Sequence, residues 1–492
     1  MVRFGPLLLL LATAFYGGTS LKFLAYYPMF GRSHVNFMGK VVDTLIDAGH
    51  EVTVVGPIIE ARHGGYGTKK ATKIISIPQD DKAKEFENVV MNEMIQNFWD
   101  NKAMSDFMKE VWKLVDTWTN ACSATLRHEG LMEELRKETY DAAFSEPLDY
   151  CGFGIFHALG INKTAITLSI ASFEGSFFLT GNPSFPSYVP SQMADHGPVM
   201  TFKQRLFNSI PIVIMPFFLN YFTDPFNGIF AKKFGPDFPK IENILANVSF
   251  TFLNSDPLIE FPRPITHNIV DIGGISVSSG HQPLNKTWDE IFSRRPMTVL
   301  LSFGTVAKSA LMPKEYKETI KKTMRKFPDV TFIWKYENPE DNISKGIPNL
   351  VESTFVPQND MLYDPRLSLF ITHCGQGSTI EATTAGVPLI VIPVLGDQRR
   401  NAQVVKRLGS GIVLEKDQLN GTDALEVALK EIFSNPEYAL HAKNVGAMIR
   451  DKPFSPRETF VNNMEFLAKY GPLRQLDHYG KQLNFFQYYL ID

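Results

Sequence analysis

The residues with the most chemistry to offer lie between 355 and 401. His373, Cys374, Gly375, Gln376, Gly377 and Ser378 follow an apolar run at 368–372, and a second apolar run occupies 389–394. A stretch of helical character separates the two. Strand, glycine turn, helix, strand is the unit of a parallel sheet with crossover helices. Ligands of such sheets sit beyond the carboxyl ends of the strands, here at His373, Gly375 and Gly377 and, one strand later, at Asp397 and Gln398. Glycine lets backbone N–H groups come close to an anion, and the following helix aims the positive end of its dipole at the same place. The pattern suits a diphosphate. Ser302-Phe303-Gly304-Thr305 is a second glycine turn after an apolar run. Its Ser302 and Thr305 either join the anion seat or cap the turn.

A second group bears on proton transfer. His34 follows the first apolar run, 21–29, at the start of a helical stretch. There the dipole disfavours imidazolium and keeps the ring neutral and basic. Glu146 and Asp149 follow another short apolar run and are candidates to orient its other nitrogen. Cys374 beside His373 raises a rival, a cysteine hydrolase. Sequence neighbours are not thereby a dyad, and a small buried cysteine in a tight turn is commoner. A nucleotide-sugar epimerase is a third reading, disfavoured by the leader-like N-terminus and the aromatic stretch described below.

The order Pro357-Gln358-Asn359-Asp360, Ile371-Thr372-His373, Gly375, Glu381-Ala382, Gly386-Val387-Pro388, Asp397-Gln398 resembles the donor-binding signature of the UDP-glycosyltransferases, the family that includes the UDP-glucuronosyltransferases. A weaker resemblance runs from residue 21 to about residue 470. It implies an α/β, GT-B fold: two facing Rossmann-like domains with parallel sheets and the site in the cleft. It implies that Phe355 stacks on uracil and Gln358 hydrogen-bonds it, that Glu381 holds the ribose hydroxyls, and that His373 with the amides of Gly375, Gly377 and Ser378 takes the diphosphate. Ser302 and Gly304 would contribute from the other side. Asp397 and Gln398 match the family's sugar-hydroxyl binders, and Arg399 or Arg400 could meet a glucuronate carboxylate by a charge-assisted contact. His34 matches the general base. Alignment through Cys151-Gly152 puts Glu146 where the family commonly has Asp, with Asp149 as competitor.

The implied reaction is inverting transfer of a hexosyl group, glucuronosyl in first place and glucosyl as alternative, to a hydroxyl of a small lipophilic acceptor, as in detoxification. UDP-glucuronate or UDP-glucose is a co-substrate; no cofactor and no metal are expected.

These residues need elements to hold them. Val35, Met38, Val41, Val42, Leu45 and Ile46 recur at helical spacing, with Ser33 as expected cap and Gly49 as expected stop. Residues 51–55 form the next strand. This opening βαβ unit lacks G-x-G-x-x-G, which counts against a dinucleotide cofactor. Residues 86–137 read as helical. Residues 173–240 are dense in Phe, Pro and Gly with poor periodicity, which predicts a loop-rich envelope over an apolar ligand or a membrane-apposed region. A second βα series follows. The expected division is a signal peptide at 1–20, an acceptor domain at 21–275, a linker at 276–296, a UDP-sugar domain at 297–450, and a tail at 451–492 whose helix crosses back.

The chain has 492 residues and a net charge of −3, so no basic footprint points to nucleic acid. Arg3 ahead of an apolar segment predicts a secretory leader. Sequons at Asn162, Asn247, Asn285, Asn342 and Asn420 suit a glycoprotein of the endoplasmic reticulum lumen or secretory pathway. The resemblance implies a membrane span beyond residue 490, and it leaves membrane association and homo-oligomer formation open. Three cysteines are no disulfide framework; a Cys122–Cys151 bridge is allowed, but nothing in the spacing selects it.

Overall fold

Short runs that are buried on both faces can pair only with neighbours that are covered alike, and that dictates parallel sheets packed between helices. In the computed structural model, which describes residues 20–100, 104–171, 174–277, 281–488 and 490–491, two such sheets form. The expected leader at 1–20 lies, except for Ser20, outside the described residues.

The first sheet holds β1 (Lys22–Tyr26), β2 (Glu51–Pro57), β3 (Lys73–Ile77), β4 (Ala142–Ser145), β5 (Thr164–Leu168), β6 (Phe250–Leu253) and β7 (Ile269–Asp271) in the order β3-β2-β1-β4-β5-β6-β7. The second holds β8 (Met297–Ser302), β9 (Val330–Lys335), β10 (Leu350–Ser353), β11 (Leu367–Thr372), β12 (Leu389–Val391) and β13 (Gly411–Val413) in the order β10-β9-β8-β11-β12-β13. Both orders reverse once, between β1 and β4 and between β8 and β11. At such a switch point the connections leave in opposite directions and a crevice opens at the strand ends. His34 and Glu146 follow β1 and β4; Gly304 and His373 follow β8 and β11.

The Pro456–Tyr470 helix comes last in the second half yet covers the first sheet. Phe460 is fully buried, with ring centroids 4.8 Å from Phe252 and 6.1 Å from Phe144. Burial of each such side chain contributes about 1.5–3 kcal/mol, enough to fix the crossing. A further apolar cluster joins Ile259 and Phe261 of the first half to Ile380, Val404 and Ile449 of the second.

One expectation needs revision. Within 173–240 lies one 33-residue helix, Phe202–Phe234, opened by a capping box between Thr201 and Gln204. Its 3.6-residue period is hidden because both faces are apolar. Leu219, Phe226 and Phe230 enter the core, while Phe202, Phe207 and Val213 face outward. Pro211, Pro216 and Pro225 read as breakers, yet the helix runs through them. By length and composition it is the one helix among the described residues able to cross a membrane. The Cys122–Cys151 bridge that the sequence allowed without selecting it is formed, and it ties the Met104–Arg127 helix to the start of the Cys151–Ala158 helix.

Candidate active site

The turn after β1 delivers His34. Gly31 precedes the Arg32–Asp47 helix at φ 59°, a left-handed conformation that a side chain would strain. Its N–H donates to the buried Glu60 Oε2 at 2.6 Å. The helix therefore starts ahead of Ser33, which makes no cap.

Sheet register brings the carboxylate. Tyr26 at the end of β1 lies opposite Ser145 at the end of β4, so the residues beyond them meet. His34 Nδ1 is 3.0 Å from both carboxylate oxygens of Glu146. Ser169, just past β5, adds its Oγ at 2.7 Å from the same nitrogen and donates its N–H to Glu146 Oε1 at 2.9 Å. Glu146 is 2% exposed and the imidazole 24%. Burial alone would make His34 a weaker base, but the charge and hydrogen bond of Glu146 outweigh it and hold the imidazole above its ordinary pKa. So the carboxylate, rather than the helix dipole, governs this ring. Glu146 itself stays below the usual carboxylate range; burial opposes this, and His34 and Ser169 overcome it.

Asp149 does not reach His34. Its carboxylate accepts the Cys151 N–H at 2.9 Å and the Tyr26 hydroxyl at 3.5 Å, inside the fold. Burial pushes it up to about 7. Three residues beyond Glu146 the chain has already turned inward to begin the next helix, which removes Asp149 from the pair.

The second switch point is built around His373. A Cβ on Gly304 would sit 2.5 Å from its ring, and one on Gly375 2.6 Å from it, so both glycines make room for the imidazole. A Cβ on Gly377 would meet nothing within 4 Å. Gly375 caps the Gln376–Ala385 helix, whose first N–H groups are directed out of the turn. Burial, then the charge of Lys335, lowers His373 to about 4, so at neutral pH it is an uncharged donor. Lys335 Nζ reaches the Gly304 carbonyl at 2.5 Å. Ser302 Oγ accepts its own turn's Gly304 N–H at 3.3 Å, the local role anticipated as an alternative.

Gln358 donates to Glu381 Oε2 at 2.7 Å and to Ser378 Oγ at 3.2 Å, so three of the expected nucleotide ligands converge. Phe355, on the loop leading to them, is 69% exposed. Asp397 accepts from Asn401 Nδ2 at 2.9 Å, and burial raises its pKa. On His34 its charge ranks after burial, which lowers the imidazole's pKa, and Glu146, which raises it; it adds to the rise, so the two groups from opposite halves lie within electrostatic reach of each other. Gln376 joins the two halves by donating to the Asn254 main-chain carbonyl at 2.6 Å.

The pattern described as UDP-glucoronosyl and UDP-glucosyl transferase matches residues 24–492. The chain belongs to that family. A putative UDP-glucuronosyltransferase of Caenorhabditis elegans is 30% identical, over 100% of this chain and 92% of its own length. The UDP-glucuronosyltransferase 1A8 of Rattus norvegicus is 27% identical, over 95% and 87%. Among solved structures, the glycotransferase of kitacinnamycin superposes with a TM-score of 0.62 at 14% identity, covering 92% of this chain and 99% of that one. The fold is GT-B.

In this UDP-glycosyltransferase Arg400 is not free for a uronate carboxylate. It is 1% exposed and donates to Glu260 Oε2 at 2.9 Å and to the Pro190 carbonyl at 3.1 Å, across the two halves. Arg399 is exposed. Gln398 Oε1 accepts the Val394 and Leu395 N–H groups at 2.8 and 2.9 Å, so only its amide N–H₂ is available to a ligand. Sequence reasoning missed Glu60, Ser169, Asn254 and Lys335. Lys335 could have been found, as the last residue of a strand beside the glycine turn. The others act through contacts that no local pattern records.

Proposed function

We propose that the enzyme transfers a hexosyl group from a UDP-sugar to the hydroxyl of a small lipophilic acceptor, with inversion at the anomeric carbon. What carries the reading is His34, hydrogen-bonded at 3.0 Å to the buried carboxylate of Glu146, which holds it as a base. The acceptor hydroxyl gives its proton to His34 Nε2 as its oxygen attacks the anomeric carbon opposite the departing UDP. Glu146 and Ser169 hold Nδ1 and stabilise the imidazolium that forms. The sugar–phosphate bond breaks, and the electron pair leaves on the diphosphate. The amides at the start of the Gln376–Ala385 helix, neutral His373 and Lys335 offset that charge. An α-linked donor yields a β-product. Phe355, Gln358 and Glu381 would receive the uridine, and Asp397 with the Gln398 amide the sugar hydroxyls.

With Arg400 committed to Glu260, a glucuronosyl donor loses one of its two expected cations, and glucosyl becomes the even competitor. Purified protein is incubated with a phenolic acceptor and UDP-glucuronate or UDP-glucose, and the anomeric configuration of the product is read by NMR. His34→Ala should lower turnover at least about 100-fold. Unchanged turnover in that variant would refute the base assignment.

A further inference from the structure

Ser169 and Asn254 belong to neither expected ligand set, yet they connect the two switch points. The Asn254 side chain donates from Nδ2 to the Ser169 carbonyl at 2.8 Å. Ser169 in turn holds His34 through Oγ at 2.7 Å and Glu146 through its N–H at 2.9 Å. On its other side, Asn254 accepts Gln376 Nε2 on its main-chain oxygen at 2.6 Å. Gln376 is the first residue of the helix whose N-terminus faces the diphosphate seat. Four residues from both halves thus form one unbroken path: His34, Ser169, Asn254, Gln376. Each step is a directional hydrogen bond within 2.6–2.8 Å. Asn254 is 2% exposed, and its Oδ1 has no hydrogen-bond partner among the described residues. A buried amide oxygen is seldom left open in a folded protein. This one lies on the path of hydrogen bonds that joins the base to the Gln376–Ala385 helix.

We propose that Asn254 and Gln376 are positioning residues that couple seating of the donor diphosphate to alignment of His34. The proposal rests on the transferase reading. When the diphosphate settles on the first turn of the helix, it fixes the Gln376 side chain. Gln376 holds the main chain at Asn254, Asn254 holds Ser169, and Ser169 keeps Nδ1 of His34 turned to Glu146 and Nε2 free for the acceptor. An enzyme wired in this way holds its base more firmly once donor is bound.

The test uses the whole protein and a signal that needs no turnover. The imidazole N–H shared with Glu146 and Ser169 should give a downfield proton resonance, assigned by its loss in His34→Gln. UDP should sharpen it in the wild type. In Gln376→Leu, calorimetry should show UDP still bound with nearly unchanged affinity, while the sharpening is lost. Transfer in that variant should fall up to about 100-fold in kcat, with KM for the UDP-sugar little changed, as expected of misalignment rather than lost binding. Asn254→Ala should behave alike. The double variant should lose no more than the worse single variant, because both break one path. Sharpening that survives in Gln376→Leu, a loss confined to KM, or losses that multiply in the double variant would each overturn the coupling. A wild-type chain that binds no UDP refutes the transferase reading itself. One that binds UDP but fails the resonance test refutes the coupling alone.

Discussion

Arg400 and Glu260 face each other across the two halves, Nη1 to Oε2 at 2.9 Å and Nη2 to Oε1 at 2.8 Å, with the guanidinium 4.9 Å above the Phe261 ring. Two opposite charges this deep stabilise the pair only while both are present. Burial would raise the Glu260 carboxyl, but Arg400 outweighs it and keeps it below the usual range. Arg400→Met should therefore cost about 3–5 kcal/mol in chemical denaturation, because Glu260 is left buried and unpaired. Replacing both, Arg400→Met with Glu260→Leu, should recover most of that loss. The ratio of UDP-glucuronate to UDP-glucose turnover should not follow Arg400, since the residue serves the interface.

The pH profile should report the His34–Glu146 pair. The base must be neutral, and Glu146 holds His34 above its ordinary 6.5, so kcat/KM should fall on the acid side with an inflection above 6.5. Glu146→Gln should move that inflection downward and lower kcat by about 10²- to 10⁴-fold, measured from pH 5 to 9. The sign for stability follows from the same shifts. The raised His34 adds stability that is full below its unfolded value and is lost as pH rises through the folded one. The depressed Glu146 adds stability above its unfolded value that is lost as pH falls through the folded one.

Two glycines of the diphosphate turns should respond differently to one added methyl group. At Gly304, with φ +77°, a Cβ meets the His373 ring at 2.5 Å; at Gly377 it meets nothing. Gly304→Ala should lower the melting temperature and weaken UDP at least about tenfold, or 1.4 kcal/mol. Gly377→Ala should leave the melting temperature in place and weaken UDP only, where the diphosphate approaches the helix start. Calorimetry with UDP alongside thermal melts separates the two.

Cys374 should prove chemically silent. It is fully buried, its Sγ lies 3.4 Å from Thr379 Oγ1, and burial pushes the thiol up to about 12. Cys374→Ser should retain transfer, and a thiol reagent should label nothing in the native protein. Reduction of Cys122–Cys151, which are 29 residues apart, should lower stability by about 3–4 kcal/mol as the loop is released in the unfolded chain.

What the amino-acid order settled by itself is everything carried by the local backbone. Glycines at 304 and 375 mark turns, apolar runs without alternation mark buried parallel strands, and their succession implies two α/β units. The meeting of Gln358, Ser378 and Glu381 was equally legible, since they lie on the two helices that flank one strand, Leu367–Thr372. The tertiary structure alone decided what meets across distance. The sequence favoured Glu146 over Asp149 only through alignment with the family; the pairing of β1 with β4 is what turns Glu146 toward His34, 112 residues away, while Asp149 points inward. Ser169, Arg400 and the Cys122–Cys151 bond have the same origin. The Phe202–Phe234 helix escaped notice because apolar residues on both of its faces erase the period by which a helix is recognised. Periodicity records which face of an element is covered, while sheet order and packing settle which distant side chain stands opposite, and that second kind of information is spread over the whole chain.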